Sequence, residues 1–181
     1  EQNIIFKMSG SLIIYSSKSG HTKAICENIK NLLENKELIK VIDLDDATSL
    51  NLSEFDKIVI GASIRYGRHN KKVLKFVKKN KYILHLKKTA FFSVNVVARK
   101  KEKSLPNNNP YVLKFLEKTN WKPNKVAVFA GKVDYPNYNF INKHVIRFIM
   151  MITKGPTNTK NSYEFTNWEN VKKFAIELEN L

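Results

Sequence analysis

Short apolar runs alternate with longer helical patterns along this 181-residue chain. Runs rich in branched and aromatic residues predict strands, and apolar residues that recur every three to four positions predict helices. The predicted strands are Leu12–Tyr15, Lys40–Leu44, Lys57–Gly61, Thr89–Val94 and Lys125–Gly131. The predicted helices are Thr22–Asn35, Lys71–Lys79, Pro110–Lys118, Ile141–Ile152 and Asn167–Glu179.

This alternation predicts an α/β domain, because parallel strands need crossover connections and both faces of a parallel sheet must be covered. We expect five parallel strands in the order 2-1-3-4-5, helices on both faces, and an inserted segment after strand 5. Residues 10–181 are predicted to form this single domain, and residues 1–9 an extension of unknown role. Ligands of such sheets bind beyond the carboxyl ends of the strands, at the topological switch point.

The chain is strongly basic, with a formal net charge of +16 and a pI near 9.8. Basic surfaces attract polyanions, but here the charge is lysine spread along the sequence, and no nucleic-acid recognition motif is present. We therefore predict no nucleic-acid partner. The four arginines are more localised: Arg65, Arg68 and Arg99 fall in two short loop segments, and Arg147 lies within an apolar cluster.

The single cysteine, Cys26, excludes an internal disulfide and a cysteine-based metal cluster, so we predict a small buried residue and no metal. The apolar clusters are shorter than the roughly 20 residues of a spanning helix, and the N-terminus lacks a secretory pattern. These features predict a protein of the cytoplasm or of its membrane face.

The stretch YSSKSGHTK connects the first strand to the first helix. Its hydroxyl side chains, its glycine and the unpaired N–H groups of the helix start could together cradle an anion. A simple serine- or threonine-capped helix is the alternative. The stretch is neither a Walker motif nor a G-x-G-x-x-G motif, but it resembles the T-x-T-G-x-T phosphate loop of flavodoxins. That resemblance implies FMN, bound by its phosphate at Ser17, Lys18, Ser19, Gly20, His21 and Thr22.

The loops after the third and fourth strands, GASIRYGRH and FFSVNVVARKKEK, would flank the flavin ring in a flavodoxin-like sheet. Tyr66 is the candidate for stacking on the ring. The further residues implied in FMN binding are Ile64, Arg65, Gly67, Ser93, Val94, Asn95, Val96, Val97 and Ala98.

A narrower resemblance covers the chain from about Met8 to Leu181. SIRYG and SVNVVARK, followed by Trp121-Lys122-Pro123, Asp134-Tyr135-Pro136 and Thr166-Asn167-Trp168, resemble the menaquinone-dependent protoporphyrinogen oxidases of bacterial haem biosynthesis. Membership implies a flavodoxin-like FMN enzyme that oxidises protoporphyrinogen IX to protoporphyrin IX, a six-electron process. The implied acceptor is a membrane quinone, menaquinone or ubiquinone. A flavodoxin-like electron carrier, a quinone reductase and a basic nucleic-acid-binding module are the alternatives, and homo-oligomerisation is left open.

The substrate implied by this resemblance carries two propionates, which guanidinium groups bind well in a bidentate fork. We expect Arg65 and Arg99 to orient these carboxylates or to stabilise reduced flavin, with a solvent salt bridge as the alternative for each. His69 could serve as a general base, although a surface histidine is the simpler interpretation.

The segment Phe140–Lys154 predicts an amphipathic helix, with cationic Lys143, Arg147 and Lys154 beside an apolar side. A core-packing helix is the alternative. Because the segment is too short to span a bilayer and the implied acceptor is dissolved in lipid, we expect it to lie in the membrane interface. The residues predicted for this contact are Phe140, Ile141, Val145, Arg147, Phe148, Ile149 and Ile152. Peripheral attachment to the cytoplasmic face of the inner membrane is the resulting prediction.

Overall fold

The computed structural model describes residues 10–181, so the predicted extension at residues 1–9 lies outside the described residues. Five parallel strands form the central sheet in the order β2-β1-β3-β5-β6. This order matches the predicted 2-1-3-4-5, because β5 and β6 are the fourth and fifth strands of the central sheet. The two-residue strand β4 lies outside this order and pairs with β3. The strand bounds are β1 Gly10–Ser16, β2 Leu38–Asp43, β3 Lys57–Arg65, β4 Arg68–His69, β5 Lys88–Val94 and β6 Lys125–Phe129.

Seven helices lie among the described residues. Their bounds are α1 His21–Leu33, α2 Leu44–Ala47, α3 Lys71–Lys79, α4 Lys81–Leu86, α5 Pro110–Thr119, α6 Phe140–Ile152 and α7 Trp168–Glu179. The five predicted helices are confirmed to within a few residues at each end. The sequence pattern does not predict α2 and α4, because helices of four and six residues are too short to show a period.

Successive residues of each central strand contribute to two different apolar clusters, one on each face of the sheet. Leu12 and Phe91 pack with residues of α3 and α5 on one face. Ile13 and Phe92 pack with residues of α1 and α7 on the other, where buried Cys26 also lies, as predicted. Gly61 leaves the space that the Phe92 ring fills, since a Cβ at this position would lie 2.2 Å from Phe92 Cζ.

An insert separates the last strand of the sheet from α7, as predicted. Its two short strands, β7 Lys132–Asp134 and β8 Ser162–Glu164, pair antiparallel and bracket α6. Buried Val133, Tyr135 and Met150 form a third, smaller apolar cluster within it, and Tyr135 donates a hydrogen bond to the Pro156 carbonyl at 2.9 Å. Within residues 10–181, no helix is both long and apolar enough to cross a membrane.

Candidate FMN site

The turn between β1 and α1 has the features of an anion site. Gly20 caps α1 in a left-handed conformation (φ +82°), and no side chain within residues 10–181 caps this helix start. The hydroxyls of Ser17 and Thr22 are buried, and neither makes a hydrogen bond within the described residues. Buried polar groups are normally paired, so two unpaired hydroxyls beside an uncapped helix start fit the oxygen atoms of an anion. The alternative of a simple serine- or threonine-capped helix is wrong.

Lys18, Ser19 and His21 complete this turn. Lys18 and Ser19 are exposed, whereas His21 is half-buried beside Trp168. Thr166 donates its hydroxyl proton to the Ala130 carbonyl at 2.7 Å, so its oxygen, 2.6 Å from His21 Nε2, accepts a hydrogen bond from that nitrogen. Burial lowers the pKa of His21, and Glu164 partly opposes this effect. His21 therefore joins the turn to the chain that returns from the insert.

Strand register brings the three predicted loops to one edge of the sheet. Ser16 of β1 pairs with Ala62 of β3, which pairs in turn with Ser93 of β5. A cavity of about 490 Å³ opens at this edge, a volume in the range of small-molecule sites. Its lining comprises Ser16, Ser17, Lys18, Asp43, Leu44, Asp45, Ser63, Arg65, Tyr66, Arg68, His69, Asn70, Lys71 and Lys72.

The loop after β3 is a tight hairpin. Arg65 pairs with Arg68 across a two-residue turn, and both turn residues, Tyr66 and Gly67, have positive φ (50° and 74°). This is the signature of a type I′ turn, in which a tyrosine is unusual because its side chain disfavours the left-handed region. Tyr66 is half exposed beside the cavity, and its hydroxyl donates a hydrogen bond to Asn142 Oδ1 of α6. A strained, exposed aromatic at the cavity is consistent with the predicted stacking role.

His69 is not a surface histidine, so that interpretation is wrong. Its ring packs edge-on against Phe91 and Phe115, and its Nε2 lies 2.9 Å from the hydroxyl of buried Ser93. Burial lowers its pKa to about 4, so at neutral pH the imidazole is uncharged and only weakly basic. A general base works best with a pKa near the operating pH, and His69 is poorly matched to that role.

The loop after β5 is mostly interior, and the predicted contacts of its residues with FMN stay predictions. Ser93, Val94, Asn95 and Ala98 are all buried. Asn95 donates to Ser93 Oγ at 3.1 Å and accepts from the Ala98 N–H at 3.2 Å, so this short 3₁₀ turn is held by satisfied polar groups. Of the four, Ser93 contacts the cavity lining through His69.

The remaining predicted residues of these two loops differ in their access to solvent. Val96, Val97 and Ile64 are half-buried. Gly67 is exposed at the hairpin turn.

Arg99 contacts the insert, and its predicted role as a carboxylate anchor stays a prediction. Its Nη2 donates to the carbonyl and hydroxyl oxygens of Thr153 at 2.8 and 2.9 Å, and its Nη1 donates to the Val96 carbonyl at 3.0 Å. The guanidinium is thus occupied in holding the end of α6 against the 3₁₀ turn. The structure assigns Arg99 to positioning the insert.

The chain resembles known proteins over most of its length. Residues 12–160 match the family described as Flavodoxin domain. Protoporphyrinogen IX dehydrogenase (quinone) of Leishmania major is 40% identical over 169 residues, which cover 92% of this chain and 73% of that protein. The protein of the same name from Escherichia coli strain K12 is 39% identical over 176 residues, which cover 94% of this chain and 95% of that protein. This chain belongs to the protoporphyrinogen IX dehydrogenase (quinone) family.

Solved structures of flavodoxins share the fold of this chain. Oxidised flavodoxin 2 of Bacillus cereus superposes with a TM-score of 0.56 at 17% identity, covering 95% of this chain and 99% of that one. Oxidised flavodoxin 1 of the same organism gives 0.55 at 18% identity, covering 95% and 98%. The family and the flavodoxin-like fold predicted from sequence are both confirmed.

The residues present fit the phosphate of FMN, which the family resemblance implies. A phosphate accepts several hydrogen bonds at once, and the β1–α1 turn offers unpaired hydroxyls, free N–H groups and the positive end of a helix dipole.

The cavity also contains residues that sequence reasoning did not assign to it. They are Ser16, Asp43, Leu44, Asp45, Ser63, Asn70, Lys71, Lys72 and Arg68. The first eight lack a distinctive pattern. The sequence did contain a signal for Arg68, because this residue lies in the same short loop as Arg65.

Proposed function

We propose that this chain oxidises protoporphyrinogen IX to protoporphyrin IX with bound FMN, and passes the electrons to a quinone. The observation that carries this proposal is the 39% identity that runs over 94% of this chain and 95% of the Escherichia coli dehydrogenase. The flavodoxin-like sheet and the β1–α1 turn support FMN as the cofactor.

Each part of the site has a separate task in this reaction. Ser17, Thr22 and the N–H groups of the α1 start bind the phosphate and fix the register of the cofactor. When bound, FMN supplies the two-electron redox chemistry. Tyr66 covers one side of the cavity with an aromatic ring, and the neutral His69 adds no charge to its wall.

Turnover of purified protein tests the reaction. We expect flavin absorbance near 450 nm, a feature of oxidised flavins generally, and anaerobic oxidation of protoporphyrinogen IX when a quinone is added. The product is followed by its porphyrin fluorescence. A flavin-containing protein that reduces quinone or a redox partner but leaves protoporphyrinogen unchanged would be a reductase or carrier, and the proposal would be wrong.

We also propose that α6 attaches the protein peripherally to the cytoplasmic face of the inner membrane. The apolar side chains of Ile141, Val145, Phe148 and Ile152 recur at helical spacing. Ile141, Phe148 and Ile152 are 70%, 58% and 62% exposed, and Phe140 at the helix start is 77% exposed. A contiguous exposed apolar surface of this kind marks an interaction site.

The opposite side of α6 explains how the helix is held. Met150 is buried in the insert cluster and Ile146 packs against it, whereas Ile149 is only half-buried. The core-packing alternative therefore applies to one side only. Arg147 and Lys154 are exposed beside the apolar side, where they could meet anionic head groups, and Lys143 is half-buried.

Vesicle binding tests this attachment. Serine at Ile141, Phe148 and Ile152 together should reduce cosedimentation with phosphatidylglycerol vesicles at least tenfold, because each exposed apolar side chain contributes about 1 kcal/mol or more on insertion. The matched control places serine at Tyr82, Leu86 and Leu105, which are equally exposed but lie elsewhere. Equal binding by the α6 variant and the control would exclude α6 as the membrane contact.

A further inference from the structure

The two arginines of the β3–β4 hairpin face each other. Arg65 and Arg68 are cross-strand partners, so their side chains project from the same face of the hairpin. Like charges directly opposite each other destabilise a strand pair. Among the described residues, none of the ion pairs within 4 Å involves either guanidinium. Arg65 lies over the Tyr66 ring, 5.1 Å from its centroid.

The cavity beside these arginines has an excess of positive charge. Five cationic side chains line it, against the two carboxylates of Asp43 and Asp45. Both carboxylates are already engaged: Asp45 forms an ion pair with Lys72 at 2.8 Å, and Asp43 accepts the Asp45 N–H at 2.9 Å. The remaining cations, Arg65 and Arg68 among them, face the cavity without an acidic partner among the described residues.

We propose that Arg65 and Arg68 form a two-arginine clamp for a carboxylate of the substrate. A carboxylate placed between the two guanidinium groups would replace their mutual repulsion with charge-assisted hydrogen bonds. The inference rests on the proposed function, whose substrate carries two propionates, and it adds Arg68 to the site in place of Arg99. It also explains why guanidinium rather than ammonium groups stand at both positions, since only guanidinium forms the bidentate fork.

Binding of the product and of its ester tests the clamp. The probes are protoporphyrin IX, which has two free carboxylates, and its dimethyl ester, which has none, both presented to the FMN-loaded protein in the same detergent micelles. We expect the wild type to prefer the free acid, and Arg65→Gln with Arg68→Gln to reduce free-acid affinity about tenfold or more while ester affinity stays the same. The Soret band of the porphyrin reports binding.

Two further variants define the result. Arg65→Lys with Arg68→Lys keeps the charge but loses the fork, so it should recover only part of the preference. Lys122→Gln removes one charge at an exposed position outside the cavity and should behave as wild type. Unchanged preference in the double glutamine variant, or an equal loss for acid and ester, would overturn the clamp.

A final comparison separates the carboxylate from the phosphate of FMN. If the arginines bind that phosphate instead, the double glutamine variant will lose its preference for FMN over riboflavin, and the clamp is wrong. We expect this preference to remain, because the β1–α1 turn supplies the phosphate site. Failure of the wild type to oxidise protoporphyrinogen would refute the proposed function, whereas active enzyme with unchanged acid preference in the variant would refute only the clamp.

Discussion

Thr22 combines a buried position with a hydroxyl that has no partner among the described residues. It is 1% exposed, and its hydroxyl makes no hydrogen bond within the described residues. An unpaired buried hydroxyl costs about 1–3 kcal/mol of stability. Such a group persists where a ligand needs it, so the stability of the ligand-free protein and the affinity for FMN should respond in opposite directions to its removal.

Thr22→Val should therefore stabilise the FMN-free protein by about 1 kcal/mol and weaken FMN binding about tenfold. Urea unfolding of the FMN-free protein and fluorescence titration with FMN measure the two effects, and riboflavin affinity should stay unchanged. Thr119→Val is the matched control, because buried Thr119 donates to the Phe115 carbonyl at 2.9 Å and its loss should destabilise. Destabilisation by both variants would contradict the anion site.

His69 makes the stability of the folded protein depend on pH. Burial lowers its pKa to about 4 in the folded state, from an ordinary histidine value of 6.5 that the unfolded chain retains. The unfolded chain therefore binds the proton first as the pH falls, and stability is lost between about pH 6.5 and pH 4. The expected loss between pH 7 and pH 5 is about 2 kcal/mol.

His69→Gln should remove most of this loss, as measured by urea unfolding at the two pH values. His21 also has a lowered pKa, so it contributes to acid destabilisation with the same sign, and its contribution should remain in the variant. An identical pH dependence in wild type and variant would show that His69 is not kept neutral by the fold.

At the scale of elements, α6 is fastened at both ends, to the β3–β4 hairpin and to the 3₁₀ turn after β5. Tyr66 of the hairpin contacts Asn142 in the first part of the helix, and Arg99 binds Thr153 at its end. Just beyond Thr153, the Gly155 N–H bonds to the Met150 carbonyl at 2.7 Å, while Lys154 adopts a left-handed conformation (φ 56°). The helix proposed to face the membrane is thus joined to the loops that follow β3 and β5.

Arg99→Leu should loosen the end of α6 with little effect on the main sheet, because the lost bonds join the insert to the 3₁₀ turn after β5. Hydrogen exchange of the amides at residues 153–155 should accelerate about tenfold or more, since hydrogen bonds to a charged group contribute about 1.5–3 kcal/mol. Arg147→Leu, at an exposed position, is the control. Equal exchange in both variants would exclude a role for Arg99 in holding the helix.

For the whole molecule, the net charge of +16 and the apolar side of α6 should act together at an anionic membrane. Salt screens the electrostatic attraction of the basic protein to the membrane, but it does not screen the insertion of the apolar side of α6. Binding to phosphatidylglycerol vesicles should therefore weaken steeply between about 0.05 and 0.5 M salt, on the order of tenfold, and then level off. Binding that vanishes completely at high salt would indicate a purely electrostatic contact and would contradict insertion of α6.

The sequence alone determined much of this protein. Alternating short apolar runs and helical periods suffice to predict a five-stranded parallel sheet, because burial of both faces leaves a strong local pattern. SIRYG, SVNVVARK and the hydroxyl-rich turn sufficed for the family, and Cys26 for a buried thiol.

Only the tertiary structure decided which polar side chains have partners. Arg99 and Arg68 have the same chemistry in the sequence, yet one is occupied by Thr153 and the other faces the cavity. His69 is enclosed by Phe91 and Phe115, residues 22 and 46 positions away, which no local pattern reveals. Likewise, the helical period of α6 separates apolar from cationic side chains in the sequence. The packing of Met150 in the insert decided which side of the helix is exposed. Hydrogen-bond partners and burial depend on long-range contacts, whereas strands and helices leave their mark in neighbouring residues.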